Sequence, residues 1–135
     1  MQFICSFLKR PAGTLLPGMG AAYHQLHLRG YAFSVEVLQG EELVGGLYGV
    51  CIDRFISGES MFYLQSNASK MAIYALAQKL QEKKIDWMDI QMVTPLLGEL
   101  GGKEIPRLHY MTLLRQSLSP FIPGYYPRQG LGPLL

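Results

Sequence analysis

Residues 32–50, AFSVEVLQGEELVGGLYGV, predict two antiparallel strands joined by a tight turn, and this hairpin decides the fold. In the first strand, apolar residues alternate with polar Ser34 and Glu36, which is the period of a half-buried strand. The segment GEE supplies the turn and LVGGLYGV supplies the second strand. Adjacent Gly45 and Gly46 inside that strand indicate a bulge or a close approach of the backbone to another element.

Further elements are predicted on both sides of the hairpin. Before it, the apolar spacing of GMGAAYHQLHLRG predicts a short helix that stops at Gly30. After it, RFISGE predicts a third short strand that ends at Glu59. Ser66 or Asn67 can cap a helix that runs to about Glu82, because either side chain can accept bonds from the exposed amides of the first turn.

The C-terminal half adds one more strand and a final helix. IDWMDIQMV predicts the strand, TPLLGELGGKE a loop, and PRLHYMTLLRQSL a helix with Pro106 at its first position. The order of elements predicts an α+β fold in which helices flank one mainly antiparallel sheet. We expect a single domain over residues 1–135, in which residues 1–13 remain unassigned and residues 119–135 form a Pro- and Gly-rich tail.

Composition indicates a globular protein without a membrane anchor. Hydrophobic residues make up 49% of the 135 residues and charged residues 16%, a balance that favours a globular protein over a disordered one. No apolar run approaches the roughly 18 residues of a membrane span. The opening MQFICSFLKR carries its basic residues after its apolar run, unlike a secretory signal. We therefore expect a cytoplasmic protein in which Cys5 and Cys51 are reduced, buried thiols.

Charged and metal-binding side chains give weak signals. The net charge of +2 is too small to indicate a nucleic-acid partner by itself. Lys79, Lys83 and Lys84 form the densest basic cluster, which is either a solvated helix face or an edge that contacts phosphate. His24 and His27 have a spacing that metal sites use, but no suitably spaced third ligand is visible. We therefore expect half-buried or surface histidines and no metal.

Three polar residues indicate a site for an amine. Asp89 and Gln91 share one face of the predicted fourth strand, because successive side chains of a strand alternate between faces. The carboxylate would orient the carboxamide, whose oxygen would accept a hydrogen bond from an amine nucleophile. Glu59, in a strand of the same sheet, would add a second negative charge that attracts a cationic amine. The alternative is a polar strand edge exposed to water.

The helix after Glu59 carries an apolar stripe of Ile73, Leu76, Ala77 and Leu80, which by itself is typical of ordinary core packing. The junction ESMFYLQSNASK lacks the glycines that would free backbone amides for a pyrophosphate. Coenzyme A thioesters are therefore not the expected acyl donors. The sequence contains neither a nucleophile elbow nor a phosphate loop with a lysine, so covalent catalysis is not indicated.

Several separated motifs make the sequence resemble the bacterial leucyl/phenylalanyl-tRNA–protein transferase family. They read AYHQLHLRGYAFSVEV, ELVGGLYGV, GESMF, NASK, DIQ and LGGKEIPR, and they follow the family's order and spacing over roughly residues 14–118. The resemblance implies a GNAT-like fold. It also implies an enzyme that takes leucine or phenylalanine from aminoacyl-tRNA and joins it to the N-terminal Arg or Lys of a protein, which is thereby marked for degradation.

The resemblance also implies site residues. Glu59 of GESMF, and Asp89 and Gln91 of DIQ, match the family's polar active-site positions. The basic cluster becomes a weak candidate for contacts with tRNA, and no cofactor is implied. The apolar pocket for the transferred side chain would be formed by Leu47, Ile56, Ile73, Leu76 and Leu80.

The implied reaction is aminolysis of the ester that joins the amino acid to its tRNA. Gln91 would accept a hydrogen bond from the attacking α-amine, Asp89 would polarise Gln91, and Glu59 would help to hold the cationic N-terminal residue. Either Asp89 or a tRNA hydroxyl would take the proton. Typical family members carry an additional N-terminal domain, and we expect only the catalytic domain here.

Three other functions remain as alternatives to this reaction. A relative of the family could bind N-terminal residues or tRNA without transfer. A GNAT-like N-acyltransferase could use another acyl donor, and a fragment could serve a structural or interaction role. An active transferase requires Glu59, Asp89 and Gln91 to surround an empty apolar pocket. A pocket filled by its own side chains would favour the binding or structural roles, and splayed backbone amides at the start of the helix over residues 67–82 would favour another acyl donor.

Overall fold

A three-stranded antiparallel sheet with strand order β1-β2-β3 forms the centre of the computed structural model, which describes residues 18–118. The predicted N-terminal segment 1–13, Cys5 and the predicted tail 119–135 lie outside these residues. In chain order the elements are α1 (Met19–Leu28), β1 (Ala32–Gln39), β2 (Glu42–Ile52), β3 (Phe55–Tyr63), α2 (Ala68–Glu82), α3 (Pro95–Glu99) and α4 (Arg107–Ser117). This arrangement confirms the predicted α+β fold and is consistent with a GNAT-like fold.

The predicted hairpin is confirmed by the register of β1 and β2. Ala32 pairs with Val50 at one end and Gln39 pairs with Glu42 at the turn. The register shifts once along this pair, between Val37 and Leu38. The alternation of apolar and polar residues in β1 therefore predicts the strand correctly, because one face of the sheet packs on the apolar core and the other carries polar residues.

Gly45 explains why the second strand contains a glycine pair. A Cβ atom at Gly45 would lie 2.5 Å from the Cβ atom of Ala68, the first residue of α2. Such a distance is far shorter than a van der Waals contact, so only glycine lets the helix start this close to the strand. The predicted close approach of this backbone to another element is thereby confirmed.

Helix α2 covers the apolar face of the sheet. Leu76 is 1% exposed and Ile56 is 0% exposed, and burying a side chain of this size stabilises the fold by about 1.5–3 kcal/mol. The thiol of Cys51 lies in the same cluster, as expected for a buried cysteine. The buried cluster consists of Phe33, Leu47, Cys51, Ile56, Ala72, Leu76, Leu80 and Ile85.

The opposite face of the sheet is more polar and lies against α1. Ser34 pairs with Tyr48, so their side chains share this face, and the ring of Tyr48 packs edge to face on Tyr23 of α1. Glu36 lies two residues beyond Ser34 on the same face, and burial raises the pKa of its carboxyl group. Helix α1 ends as predicted before Gly30, whose φ of 81° turns the chain into β1.

Two strand predictions were wrong in their extent. Strand β3 does not end at Glu59 but continues to Tyr63, so Glu59 lies within the strand. The predicted fourth strand over residues 85–93 is an extended segment that pairs with β3 through a single parallel bridge, between Ser57 and Asp89. The chain turns away after this bridge, which ends the pairing.

The predicted loop after residue 93 contains the short helix α3. The hydroxyl of Thr94 accepts a hydrogen bond from the amide of Leu97 at 3.3 Å, and Pro95 occupies the first turn, which is a favourable helix start. These two local signals outweigh the glycines that predict a loop. Among residues 18–118, none of the helices is both long enough and apolar enough to span a bilayer.

Details at the helix ends and on the stripe of α2 also differ from the predictions. Asn67 occupies the N-cap of α2, but its backbone has a φ of 68° and its side chain forms no capping hydrogen bond. Pro106 takes the N-cap of α4 and not the first helical position. Ala77 is exposed, whereas Ala72 is fully buried. The buried residues Ala68, Ala72, Leu76 and Leu80 follow one another at a spacing of four, and Ala77 lies outside this row.

Candidate active site

A β-bulge in β3 orients Glu59. Tyr48 of β2 pairs with Ser60 and Gly49 pairs with Gly58, which leaves Glu59 as an extra residue without a partner on β2. A bulge of this kind changes the direction of one side chain and leaves that residue out of the hydrogen-bonded pairing between the strands. The hydroxyl of Ser57 donates to Glu59 Oε1 at 2.8 Å, which fixes one oxygen of the carboxylate.

Helix α1 supplies a second donor to the same carboxylate. The hydroxyl of Tyr23 donates to Glu59 Oε2 at 3.0 Å, and its ring centroid lies 4.9 Å from that of Tyr48. Burial, followed by the hydrogen bond and the charge of Glu59, raises the pKa of Tyr23 to about 12. Burial and the charge of Glu59 also raise the pKa of Tyr48. Tyr23 therefore keeps its proton near neutral pH and acts as a hydrogen-bond donor to Glu59.

Asp89 lies beside this bulge through the single parallel bridge. Its amide donates to Ile56 O at 2.8 Å, and its carbonyl oxygen accepts from the amide of Gly58 at 2.8 Å. Ser57 and Asp89 are bridge partners, so their side chains point to the same side of the sheet, the side of Tyr48. The backbone therefore brings Asp89 to the same face as Glu59.

The backbone turns sharply at Gln91 and so does not continue as a strand. Gln91 has a φ of 64°, in the left-handed region that non-glycine residues seldom adopt. Its amide donates to Asp89 Oδ1 at 2.8 Å, which is the side-chain-to-backbone bond of an Asx turn. The strand alternation used to place Asp89 and Gln91 together is therefore wrong, although both residues do lie in one site.

The side chain of Gln91 completes the group of three predicted polar residues. Its Nε2 donates to Glu59 Oε2 at 3.2 Å. Glu59 therefore orients the carboxamide of Gln91, a role that the sequence analysis gave to Asp89. Asp89 instead fixes the backbone of Gln91. Because Nε2 is engaged as a donor, the amide oxygen of this exposed side chain remains its acceptor toward a ligand.

Tyr110, on α4, is a further residue of the site that sequence reasoning missed. Its hydroxyl donates to Asp89 Oδ2 at 2.9 Å. Burial, and then the hydrogen bond and charge of Asp89, raise the pKa of Tyr110. Tyr23 was missed as well, because helical spacing counts a tyrosine as apolar and overlooks its hydroxyl. The available signal was the residue type, since half-buried tyrosines usually place the hydroxyl on a polar partner.

The predicted empty pocket is not observed at these positions, because its five residues belong mostly to the core and their own side chains fill that space. Leu47, Ile56, Leu76 and Leu80 are buried in the cluster under α2, and Ile73 is partly buried against it. Leu47 and Tyr48 are successive residues of β2 and point to opposite faces, so this cluster and the Glu59 carboxylate lie on opposite faces of the sheet.

The margin of the core includes Met88, which lies beside Gly58, the residue before Glu59 in β3. A Cβ atom there would lie 3.1 Å from the terminal methyl group of Met88, the residue that precedes Asp89. Met61, Ile73 and Met88 are all partly buried hydrophobic residues packed against the core. Flexible methionines adapt to different apolar partners, so this margin is a suitable surface for an apolar group.

The basic cluster lies at the C-terminal end of α2. Lys79 forms an ion pair with Glu82 at 3.0 Å, and Lys83 and Lys84 are exposed. The guanidinium of Arg54, in the β2–β3 turn, donates to the carbonyl oxygen of Lys84. The cluster therefore lies beside the beginning of β3, and Glu59 is about 13 Å further along that strand at 3.3 Å per residue.

The histidines do not form a metal centre within the described part of the chain. Nδ1 of His27 donates to the carbonyl oxygen of Ala32 at 3.0 Å. Residues 18–118 contain no group of three or more His, Cys, Asp or Glu side chains arranged to hold a metal ion. The side chains that the structure brings together at the site are carboxylates, a carboxamide and tyrosine hydroxyls.

Comparisons with known proteins agree with these observations. The family model described as leucyl/phenylalanyl-tRNA protein transferase matches residues 5–115. A protein of that name from Shewanella denitrificans is 43% identical over 112 residues, which are 83% of this chain and 48% of the relative. One from Colwellia psychrerythraea is 47% identical over 120 residues, 84% of this chain and 50% of the relative. One from Desulfatibacillum aliphaticivorans is 46% identical over 117 residues, again 84% and 50%. The chain spans about half the length of the curated relatives it matches.

Proposed function

The chain belongs to the leucyl/phenylalanyl-tRNA protein transferase family, and on this premise we propose that it is an aminoacyltransferase. It moves leucine or phenylalanine from aminoacyl-tRNA to the N-terminal Arg or Lys of a protein, which tags that protein for degradation. The observation that supports this best is the exposed Gln91 carboxamide, whose Nε2 donates to Glu59 and whose oxygen we propose as the acceptor for the substrate amine. Both substrates are cytoplasmic molecules, so we propose that location for the protein.

The reaction needs positioning more than a nucleophilic side chain. The α-amine of the acceptor attacks the ester carbonyl carbon, the new C–N bond forms, and the bond from that carbon to the ribose oxygen breaks. The ribose oxygen leaves with the proton that the amine gives up, and no other reactant is consumed. An α-amine has a pKa of about 8, so a sufficient fraction is neutral at physiological pH.

Gln91 is the residue that meets the amine in this mechanism. Its amide oxygen accepts a hydrogen bond from the attacking nitrogen and aims the lone pair at the ester. Glu59 accepts a hydrogen bond from the side-chain Nε2 of Gln91, and Asp89 accepts one from the backbone amide of Gln91. Both oxygens of Asp89 accept hydrogen bonds, from Gln91 and Tyr110, which argues for a positioning role and against Asp89 as the proton acceptor.

The charge of Glu59 also serves the acceptor. An N-terminal Arg or Lys brings a cationic side chain, and the negative charge of a carboxylate attracts it. Glu59 already accepts bonds from Tyr23, Ser57 and Gln91, so we propose attraction at a distance and not a direct ion pair. Lys83 and Lys84 are proposed to contact the phosphates of the tRNA, with a smaller contribution from Lys79, which is paired with Glu82.

The leucine or phenylalanine side chain is proposed to bind at the margin of the core. Ile73 is the predicted pocket residue that is only partly buried, and Met61 and Met88 are likewise partly buried against the core. Each methylene group transferred from water to this surface contributes about 0.8 kcal/mol, which favours large apolar side chains over small ones. The more deeply buried Leu47, Ile56, Leu76 and Leu80 would form the floor of that pocket.

A transfer assay tests the proposal directly. The full chain is incubated with radiolabelled Leu-tRNA and a peptide that begins with Arg, and label in the peptide is measured. We expect transfer to this peptide and not to a matched peptide that begins with Ala. If the chain binds both substrates without moving label, it is a binding relative and not a transferase.

Asp89→Asn tests the assigned residues in the same assay. The substitution weakens the acceptor for the Gln91 amide, and a misplacement of about 1 Å at a reacting centre costs about 100-fold in rate. We expect a loss of this order with an unchanged circular dichroism spectrum. The matched control is Asp86→Asn, an exposed carboxylate in the same segment. Unchanged transfer by Asp89→Asn contradicts the role of Asp89.

A further inference from the structure

Tyr110 is the residue at which helix α4 contacts the polar site. We infer that Tyr110 is a positioning residue for the transfer reaction, which sets the position of the Gln91 carboxamide through Asp89. The inference rests on the proposed function. It follows from a continuous series of three hydrogen bonds. The Tyr110 hydroxyl donates to Asp89 Oδ2, and the backbone amide of Gln91 donates to Asp89 Oδ1. The side-chain Nε2 of Gln91 donates to Glu59.

Helix α4 is anchored firmly enough for its tyrosine to act as a fixed point. Trp87, in the extended segment before Asp89, packs edge to face on the Tyr110 ring at 6.1 Å. The indole nitrogen of the same tryptophan donates to Ser117 Oγ at 2.9 Å, at the other end of α4. The amide of Arg54 donates to Ser117 O at 3.1 Å, which ties this end to the β2–β3 turn.

The need for a fixed point arises at Gln91. Its left-handed backbone, with a φ of 64°, is unfavourable for glutamine, unlike glycine or asparagine, and persists where its surroundings hold it. The hydrogen bond to Asp89 Oδ1 provides that hold, but a carboxylate bonded through one oxygen can rotate about its last torsion angle. The bond from Tyr110 to Oδ2 stops this rotation, because both oxygens then have fixed donors.

The hydroxyl group, and not the ring, carries this effect. Tyr110→Phe keeps the contact with Trp87 and removes only the donor to Asp89, so the helix stays packed. Burial and the neighbouring carboxylate raise the pKa of Tyr110, which keeps the hydroxyl protonated and able to donate. The matched control is Tyr74→Phe, because Tyr74 is 66% exposed on α2 and its hydroxyl accepts a hydrogen bond from the exposed Gln78, away from the polar site.

The first measurement separates positioning from binding and from stability. We expect Tyr110→Phe to lower kcat about tenfold, the equivalent of one hydrogen bond to a charged group, with KM for Leu-tRNA changed less than about twofold. A merely structural role would lower the unfolding midpoint and leave kcat unchanged well below that midpoint. Tyr74→Phe is expected to behave as the wild-type chain, and a wild-type kcat in Tyr110→Phe overturns the inference.

The second measurement does not depend on activity. The side-chain amide of Gln91 gives its own ¹⁵N–¹H signals, assigned by comparison with Gln91→Ala. We expect these signals to shift and to exchange faster with solvent in Tyr110→Phe, and to stay in place in Tyr74→Phe. If Gln91 is unaffected by Tyr110→Phe, the inference fails even where transfer is observed. If the signals move but the wild-type chain transfers nothing, the positioning stands and the proposed reaction fails.

Discussion

At the scale of single residues, the site depends on a strained backbone. A left-handed conformation costs a residue with a Cβ atom about 1–2 kcal/mol, and Gln91 holds one at a φ of 64°. Glycine would adopt this conformation without that cost. The side chain of Gln91 is therefore kept at some expense in stability, as is often found at functional sites.

A pair of variants measures this strain. Both Gln91→Gly and Gln91→Ala remove the carboxamide, so we expect both to lose transfer to a similar degree. Gln91→Gly should be about 1 kcal/mol more stable than Gln91→Ala, because the αL cost exceeds the extra chain entropy of glycine in the unfolded state. Equilibrium urea unfolding gives the difference. An alanine variant as stable as the glycine variant would show that residue 91 is not held in this conformation.

Tyr23 makes the stability of the fold depend on pH at the alkaline end. Its pKa is raised to about 12, whereas the pKa of a tyrosine in the unfolded chain is about 10. The unfolded state therefore loses its proton first, and the stability that is fully present below pH 10 is lost as the pH rises to about 12. Tyr23→Phe should reduce this loss. Urea midpoints measured at several pH values across that window test it, with the exposed Tyr74→Phe as the control that keeps the wild-type profile.

At the scale of elements, the bulge in β3 is the feature that makes a site out of a regular sheet. It is built opposite Gly49, which has no side chain to occupy the space. A Cβ atom at Gly49 would lie 2.3 Å from the carbonyl oxygen of Ser57 and 2.7 Å from the Phe33 ring. Neither the backbone of β3 nor the buried ring can move aside without disturbing the strand pairing.

Gly49→Ala should therefore damage both the fold and the site. We expect a loss of about 2–3 kcal/mol in the free energy of unfolding, as for other overpacked positions, together with a loss of transfer because Glu59 shifts. Gly98→Ala is the control, since a Cβ atom in that position of α3 meets only Val93 at 3.5 Å. It should leave the stability unchanged or raise it slightly. A fully stable Gly49→Ala would contradict the register of this bulge.

The elements also show what the sequence could and could not predict. The hairpin was predictable because its alternation reflects burial that is local to each strand. The bulge at Glu59 and the turn at Gln91 were not, since neither breaks the apolar pattern of the surrounding residues. The hydrogen-bond partners of the three polar residues could not be predicted for another reason. Tyr23 and Glu59 are separated by 36 positions, and Asp89 and Tyr110 by 21, so no local period connects them.

At the scale of the molecule, the two faces of the sheet have different tasks. The face under α2 is closed by apolar side chains and holds the fold together, whereas the face toward α1 carries the carboxylates and tyrosine hydroxyls. Gly58 and Glu59 are successive residues of β3 at the boundary between these faces, and a Cβ atom at Gly58 would lie 3.1 Å from the methyl group of Met88. A substrate with an apolar side chain and a reactive ester fits such a boundary, because each part of it meets a different face.

The overall charge of the chain bears on how a tRNA would be held. A net charge of +2 provides little attraction at long range, so binding must depend on a few local contacts. Lys83 and Lys84 are the exposed cations at the end of α2, whereas Lys79 is paired with Glu82 at 3.0 Å. The variant Lys83→Gln/Lys84→Asn removes both charges, and asparagine tolerates the positive φ of 57° at position 84.

This double variant should bind aminoacyl-tRNA more weakly and with a smaller dependence on salt. Each phosphate that is no longer neutralised by a lysine lowers the slope of log K against log salt concentration by about 0.7–0.9, so two such phosphates lower it by about 1.5. Fluorescence anisotropy with labelled tRNA across a series of salt concentrations gives the slope. Lys70→Gln is the control, because Lys70 lies near the other end of α2 and forms an ion pair with Glu99 of α3 at 3.8 Å. An unchanged slope in the double variant would exclude this end of α2 from the tRNA interface, and would leave the tRNA to be bound through the polar face itself.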